Sequence, residues 1–209
     1  MEIIPNFAVF EGGDGSGTTT QLSLLSERLK KAGKPCFFPT FEPTNGQIGK
    51  IIRAALTKSA PITPQTLAFL FSADRNEHIY GQDGILEHIN RDELVVSDRY
   101  IMSSLVYQGI ECGDELPASL NSRFPAPGTL IFLDLEPETA LERMKNRESL
   151  EIYEYLDFQI KVREKYKSLL ETYADCGVRV ETVDASQTVE EVADKVWSII
   201  RQMPIFKAQ

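Results

Sequence analysis

Phe10-Glu11-Gly12-Gly13-Asp14-Gly15-Ser16-Gly17-Thr18-Thr19-Thr20-Gln21 follows directly on an apolar run and runs directly into a helical pattern. A glycine-rich turn between a strand and a helix is the setting in which backbone N–H groups and a helix N-terminus wrap an anion. The template for such a loop is G-x-x-x-x-G-K-[ST]. Gly12, Gly17 and Thr19 fit it, while Thr18 stands where the template has lysine. The bland alternative is an ordinary glycine-rich turn, and the flanking strand and helix argue against it.

Outward from the loop, strands and helices alternate. Ile3 to Phe10 reads as a buried first strand, interrupted by Pro5-Asn6. Leu22, Leu25 and Leu29 recur at helical spacing until Gly33, a C-cap residue. Further strands are expected at 34–41, 94–98, 129–135 and 178–183. Helices are expected around 48–56, over 63–89 as one pattern, from Pro137, over 152–175 and over 189–203. The stretch after residue 98, with Gly109, Gly113, Pro117, Pro125 and Pro127, reads as loop-rich. Alternation of this kind predicts an α/β fold, a parallel sheet covered on both faces.

Ligands of such sheets sit beyond the carboxyl ends of the strands. Those ends carry Glu11-Gly12, Phe41-Glu42, Asp98-Arg99, Asp134 and Asp184, so polar residues converge on one rim. In the loop, Gly13 and Gly15 keep the turn wide. The Asp14 carboxylate would repel a phosphate and is expected to serve another group. Thr19 offers a hydroxyl to Mg²⁺. Asp98 can hold Mg²⁺ or its water, and Arg99 can present a bidentate fork to phosphate; the competing reading is a surface ion pair. Phe71 and Arg75 are four residues apart on one helix face and can together stack on a base and bond its edge. A core phenylalanine beside a solvent-facing arginine is the alternative. Arg143, Lys145 and Arg147 form a basic cluster between helices, suited to a flap that closes over phosphates or to a solvated face.

Composition bounds the rest. The 209 residues suffice for one domain (1–209), with ordinary hydrophobic and charged fractions of 42% and 25% and a net charge of −9. That charge argues against nucleic-acid and membrane-surface binding but not against a small anionic substrate held by local arginines. Cys36, Cys112 and Cys176 are too scattered for a disulfide framework. With no signal-peptide pattern and no membrane-length apolar run, a cytoplasmic protein is expected.

Taken in order, these motifs resemble the bacterial thymidylate kinase family along nearly the whole chain. The resemblance rests on the 10–21 loop, Glu42-Pro43-Thr44 with Ile52-Arg53, the Phe71–Arg75 helix, VVSDRYIMSSLVYQG at 95–109, IFLDLEPETALERMKNR at 131–147, and Val183-Asp184-Ala185-Ser186. It implies a P-loop nucleoside monophosphate kinase fold, with a five-stranded parallel sheet and a short lid at about 143–153. The implied reaction is transfer of the γ-phosphoryl of ATP to dTMP, giving dTDP for dTTP synthesis. Residue by residue, Phe71 would stack on thymine and Arg75 would bond its O4. Ser104 and Gln108 would line the base pocket. Asp14 and Tyr107 would read the deoxyribose, Arg53 and Arg99 would bind the acceptor phosphate, and Glu42 would sit near that phosphate and the metal. Thr19 and Asp98 would serve Mg²⁺. The backbone of Gly12, Gly13, Asp14, Gly15, Ser16, Gly17, Thr18, Thr19 and Thr20, with Arg143, would hold ATP, whose adenine would lie near 184–186. A homodimer is usual in the family.

Three departures remove positive charge: Thr18 for the loop lysine, Phe41 for an arginine before Glu-Pro, and Ile152 for a lid arginine. One lost preorganised charge costs roughly 10²–10³-fold in rate. Arg143, Lys145 or Arg147 is expected to supply the substitute, with Arg147 the first choice. Two other readings stand beside the dTMP kinase: a kinase of another nucleoside monophosphate, and a nucleotide-binding protein with weak or lost catalysis.

Overall fold

The computed structural model describes residues 2–33, 37–145, 153 and 155–207. Five parallel strands, β1 (Ile3–Glu11), β2 (Phe37–Phe41), β3 (Leu94–Asp98), β4 (Ala126–Asp134) and β5 (Arg179–Asp184), form one sheet in the order β2-β3-β1-β4-β5. The reversal of strand order at β1 opens a crevice at its carboxyl end, between the loops after β1 and β3. Pro5 lies in this central strand without a backbone donor, and the β1–β4 register accordingly shifts between Ile4 and Ala8.

The strands are apolar on both faces because both are covered. Phe7, Val9, Val95, Leu130 and Phe132 pack with α2 (Gln47–Leu56), α3 (Pro64–Tyr80), α5 (Ile101–Cys112) and α8 (Leu156–Asp175). Ala8, Phe10, Val96, Ile131 and Leu133 pack with α1 (Thr18–Lys31) and α9 (Val189–Ile200) on the other face. Each fully buried phenylalanine of this set contributes about 1.5–3 kcal/mol. Local signals set the helix starts: Pro137 opens α7 (Pro137–Met144), and Thr188 with Glu191 forms a capping box on α9.

Two expectations are corrected. The pattern over 63–89 is two helices, α3 and α4 (Ile85–Asn90), because at Gly81 the backbone turns extended and a Cβ there would lie 2.4 Å from Glu77 O. The region read as loop-rich holds α5 and α6 (Glu115–Asn121). Gly113, at φ 85°, ends the first, and Pro117 sits in the first turn of the second, where a missing N–H costs nothing. The glycines and prolines there punctuate helices rather than replace them. The final helix stops at Ile200, and a short 3₁₀ turn follows at Pro204–Phe206. Cys112 and Cys176 are free thiols, and Cys36 lies outside the described residues. Among the described residues no helix is long and apolar enough to cross a membrane.

The segment after β2 is held tightly against α2. A Cβ on Gly49 would fall 1.9 Å from Thr44 O. Gly49→Ala should therefore destabilise the fold by about 2 kcal/mol, despite alanine's better helix propensity. A thermal melt should record a Tm lower by roughly 4–8 °C.

Candidate active site

The loop after β1 folds as the strand-to-helix spacing requires. Ser16 N donates to Gly13 O at 3.2 Å, and Gly17, at φ 98°, turns the chain into α1. A Cβ on Gly12 would lie 2.5 Å from Ser16 Oγ, which keeps that position free of side chains. No side chain caps α1, so its first amides face the cleft as an anion site. Thr18, Thr19 and Thr20 open this helix, and Thr18 lines the cleft with no charge to offer.

The pairing of Phe10 with Asp98 sets the end of β3 beside the loop. Thr19 donates its hydroxyl to Asp98 Oδ2 at 2.7 Å, while the buried Asp98 Oδ1 has no partner among the described residues. That orphan acceptor beside a threonine hydroxyl fits a hard divalent cation. Among the described residues no group of three or more His, Cys, Asp or Glu could cage a metal, so the donors match an ion completed by phosphate and water.

Arg99 follows in the left-handed region, at φ 69°. Such a conformation costs about 1–3 kcal/mol and persists where surroundings over-determine it. Here the backbone N of Arg99 donates to Phe10 O at 2.8 Å. Its guanidinium donates to Asp14 Oδ1 at 2.6 Å, Gly12 O at 3.1 Å and Ser103 Oγ at 3.2 Å, and lies over the Tyr107 ring. Burial opposes the Arg99 charge, but Tyr107 and Asp14 more than offset it. Asp14 thus serves an arginine, as its position in a phosphate loop demanded. Its second oxygen accepts from Gln159 Nε2 at 2.8 Å, and its backbone N donates back to Gln159 Oε1 at 3.2 Å.

At the other end, α3 and α5 form a pocket. Arg75 is buried (1% exposed), which removes the solvent-facing alternative. It donates to Glu42 Oε2 at 2.6 Å, to Tyr100 O and Ser104 Oγ at 3.1 Å each, and to Asn121 Oδ1. Phe71, Tyr107 and Gln108 complete this wall, and the buried Gln108 Oε1 is without a partner among the described residues. Both Glu42 oxygens are engaged, the second by His78 Nδ1 at 3.0 Å. Glu42, expected near the acceptor phosphate and the metal, lines the cleft with its two oxygens on Arg75 and His78. Arg53 donates to the carbonyls of Pro43 and Thr44. Burial of Tyr107 raises its pKa and keeps the phenol neutral.

One cleft of about 740 Å³ joins these parts. It is lined by the loop from Asp14 to Thr20, by Glu42, Arg53, Phe71, Arg75, Asp98 and Arg99, and by Ser104, Tyr107, Gln108 and Arg143. Arg143 donates to Ala185 O at 2.9 Å at the end where Gln187 and Val189 also line it. Gly12 and Gly13 lie behind the loop rather than on the main cleft. Asp134 pairs with Arg163 and Lys167 away from it. Arg147 and Ile152 lie outside the described residues.

Several residues at the site were not singled out in the sequence. Gln159 carries no local signal, being 145 positions from its partner. His78 lies one helical turn beyond Arg75, a spacing that could have pointed to it. Glu11 was placed at the rim, but its role is internal. It accepts from the backbone N of Tyr100 and Ser103 at the start of α5, and from the hydroxyls of Ser103 and Tyr166.

A strand-order switch, an uncapped helix N-terminus behind a glycine loop, and a threonine–aspartate pair together define a P-loop nucleotide-binding protein with a second pocket. Comparison with known sequences is more specific. A family model described as thymidylate kinase matches residues 10–196. A Treponema pallidum (strain Nichols) protein bearing that name is 38% identical over 97% of this chain and 98% of its own length. Namesakes from Pyrobaculum aerophilum and Methanocaldococcus jannaschii are 40% and 38% identical, over 96% and 95% of this chain and 99% and 97% of theirs. The chain belongs to the thymidylate kinase family.

Burial pushes the Glu11 carboxyl from an ordinary 4.5 up to about 7, against the pull of Ser103 and Arg99. Because the folded state holds this proton more tightly than the unfolded chain, the contribution of Glu11 to stability is fully present below pH 4.5 and is lost as pH rises to about 7, at most about 3 kcal/mol. Glu11→Gln should flatten the decline in Tm between pH 5 and pH 8 in a buffer series; an unchanged slope would assign it to other groups.

Proposed function

We propose that this protein transfers the γ-phosphoryl group of ATP to dTMP, releasing dTDP and ADP. The observation that carries the reading is a single cleft with the phosphate loop and Thr19–Asp98 pair at one end and the Phe71–Arg75–Tyr107 pocket at the other. A phosphate oxygen of the acceptor forms the new bond to the γ-phosphorus, and the bond from that phosphorus to the bridging oxygen of ADP breaks. Such chemistry asks little covalent work of the protein, so positioning and charge neutralisation carry it.

The amides from Gly15 to Thr20 would cradle the donor phosphates, with the adenine end toward Arg143 and Ala185. Phe71 would stack on thymine, Arg75 would address its O4, and Ser104 and Gln108 would close the base pocket. Tyr107, packed beneath Arg99, would crowd a 2′-hydroxyl. Arg99 and Arg53 would meet the acceptor phosphate. Thr19 and Asp98 would hold Mg²⁺, which when bound neutralises phosphate charge. We assign Glu42 to orienting Arg75 rather than to the metal. A homodimer is part of the same proposal and rests on the family resemblance. A cytoplasmic site of action follows from the same reading.

Thr18 favours a second reading, a nucleotide-binding protein with weak catalysis. Steady-state assay of dTDP formation with ATP, Mg²⁺ and a panel of monophosphate acceptors separates the two. dTMP should be the preferred acceptor, and nucleotide binding without dTDP would overturn the enzyme. For the cation that stands in at Thr18, Arg147→Ala should lower kcat about 100-fold, more than Arg143→Ala does. Full turnover of Arg147→Ala at saturating ATP would exclude it.

A further inference from the structure

Behind the acceptor end of the cleft runs a buried chain of polar groups. His78 projects from the α3 face that carries Arg75. Its Nε2 lies 2.6 Å from Thr40 Oγ1, on β2, and its Nδ1 lies 3.0 Å from Glu42 Oε1, just past the end of β2. Glu42 Oε2 in turn accepts from Arg75 at 2.6 Å. Thr40, Glu42, Arg75 and His78 are all buried. Glu42 and Arg75 line the cleft, whereas His78 and Thr40 stand behind them.

The chemistry fixes the direction of the bonds to Glu42. Burial alone would raise the Glu42 pKa, but Arg75 and His78 hold it below its ordinary value, so the group is a carboxylate that only accepts. Nδ1 of His78 therefore donates to Glu42, and Nε2 shares a hydrogen bond with the Thr40 hydroxyl on the far side of the ring. A carboxylate held at one oxygen can pivot about that contact. Held at both, it presents Arg75 with a fixed plane, and a guanidinium is a planar fork whose aim follows its partner. We propose that His78 is a positioning residue for acceptor recognition, which through Glu42 sets the aim of the Arg75 guanidinium, with Thr40 holding the imidazole from its far side. The inference rests on the reading of the Arg75 end as the acceptor pocket.

The test is steady-state kinetics with dTMP varied at saturating ATP, and the converse, on the wild type and on His78→Leu, His78→Asn and Thr40→Val. His78→Leu should raise KM for dTMP about 10-fold, the scale of one hydrogen bond to a charged group, and leave KM for ATP unchanged. His78→Asn, whose amide nitrogen can replace Nδ1 as donor to Glu42, should recover most of that loss. Thr40→Val should raise KM for dTMP alone, by less. Equal rises in both KM values, or an Asn variant no better than Leu, would reduce His78 to a packing residue and overturn the proposal. If circular dichroism finds His78→Leu unfolded, the other two variants decide, and a Thr40→Val enzyme with unaltered KM for dTMP sinks the idea. A wild type that makes no dTDP defeats the proposed function and this inference with it. A wild type that makes dTDP while His78→Leu keeps its KM defeats only the inference.

Discussion

Everything at the site depends on the pairing of β1 with β3, strands separated by more than eighty residues of chain. Their register sets Phe10 opposite Asp98 and lets the backbone N of Arg99 bond Phe10 O at 2.8 Å. That bond fixes where the β3 chain leaves the sheet. It aims Asp98 at Thr19 and turns Arg99 back over the loop, where the guanidinium meets Asp14 at 2.6 Å. Glu11, one residue past the pairing, ties the start of α5 to the same strand end through two backbone amides. The loop, the Thr19–Asp98 pair and one wall of the Phe71–Arg75 pocket are therefore a single mechanical unit.

Charge in this unit is balanced locally rather than by an excess of cations. Arg99 has Asp14, and Arg75 has Glu42. Removing one member of a buried pair leaves the other uncompensated, at a cost of about 3–5 kcal/mol. An acidic chain of net charge −9 can thus hold anionic nucleotides with a few oriented arginines. Among the described residues no carboxylate is paired with Arg143, which lines the cleft beside Ala185.

Much of the architecture was legible because it is written in local terms. Alternating apolar runs and helical periods marked five strands, and Leu94 to Asp98 matched to the residue. The glycine loop, Pro137 and Thr19 with Asp98 were readable from spacing and chemistry. Reading failed where a local signal is ambiguous. Gly109 lies inside α5 and Pro117 within the first turn of α6, yet both residues suggest loops when read alone. Arg75 was read with the alternative of a solvated side chain, because burial of an arginine depends on partners from other elements. Nothing local shows that His78 and Arg75 bond the two oxygens of Glu42.

The sequence by itself determined the α/β order, the anion-binding loop and the family, since periodicity, turn residues and ordered motifs are properties of neighbouring positions. Only the tertiary structure decided which charges pair, which way Glu42 faces, and that Gln159 and His78 belong to the site. The physical reason is distance along the chain. Asp14 and Gln159, or Arg75 and Glu42, are far apart in sequence and meet only when the sheet brings their elements to one rim. Their energies come from burial and geometry, which no residue carries alone.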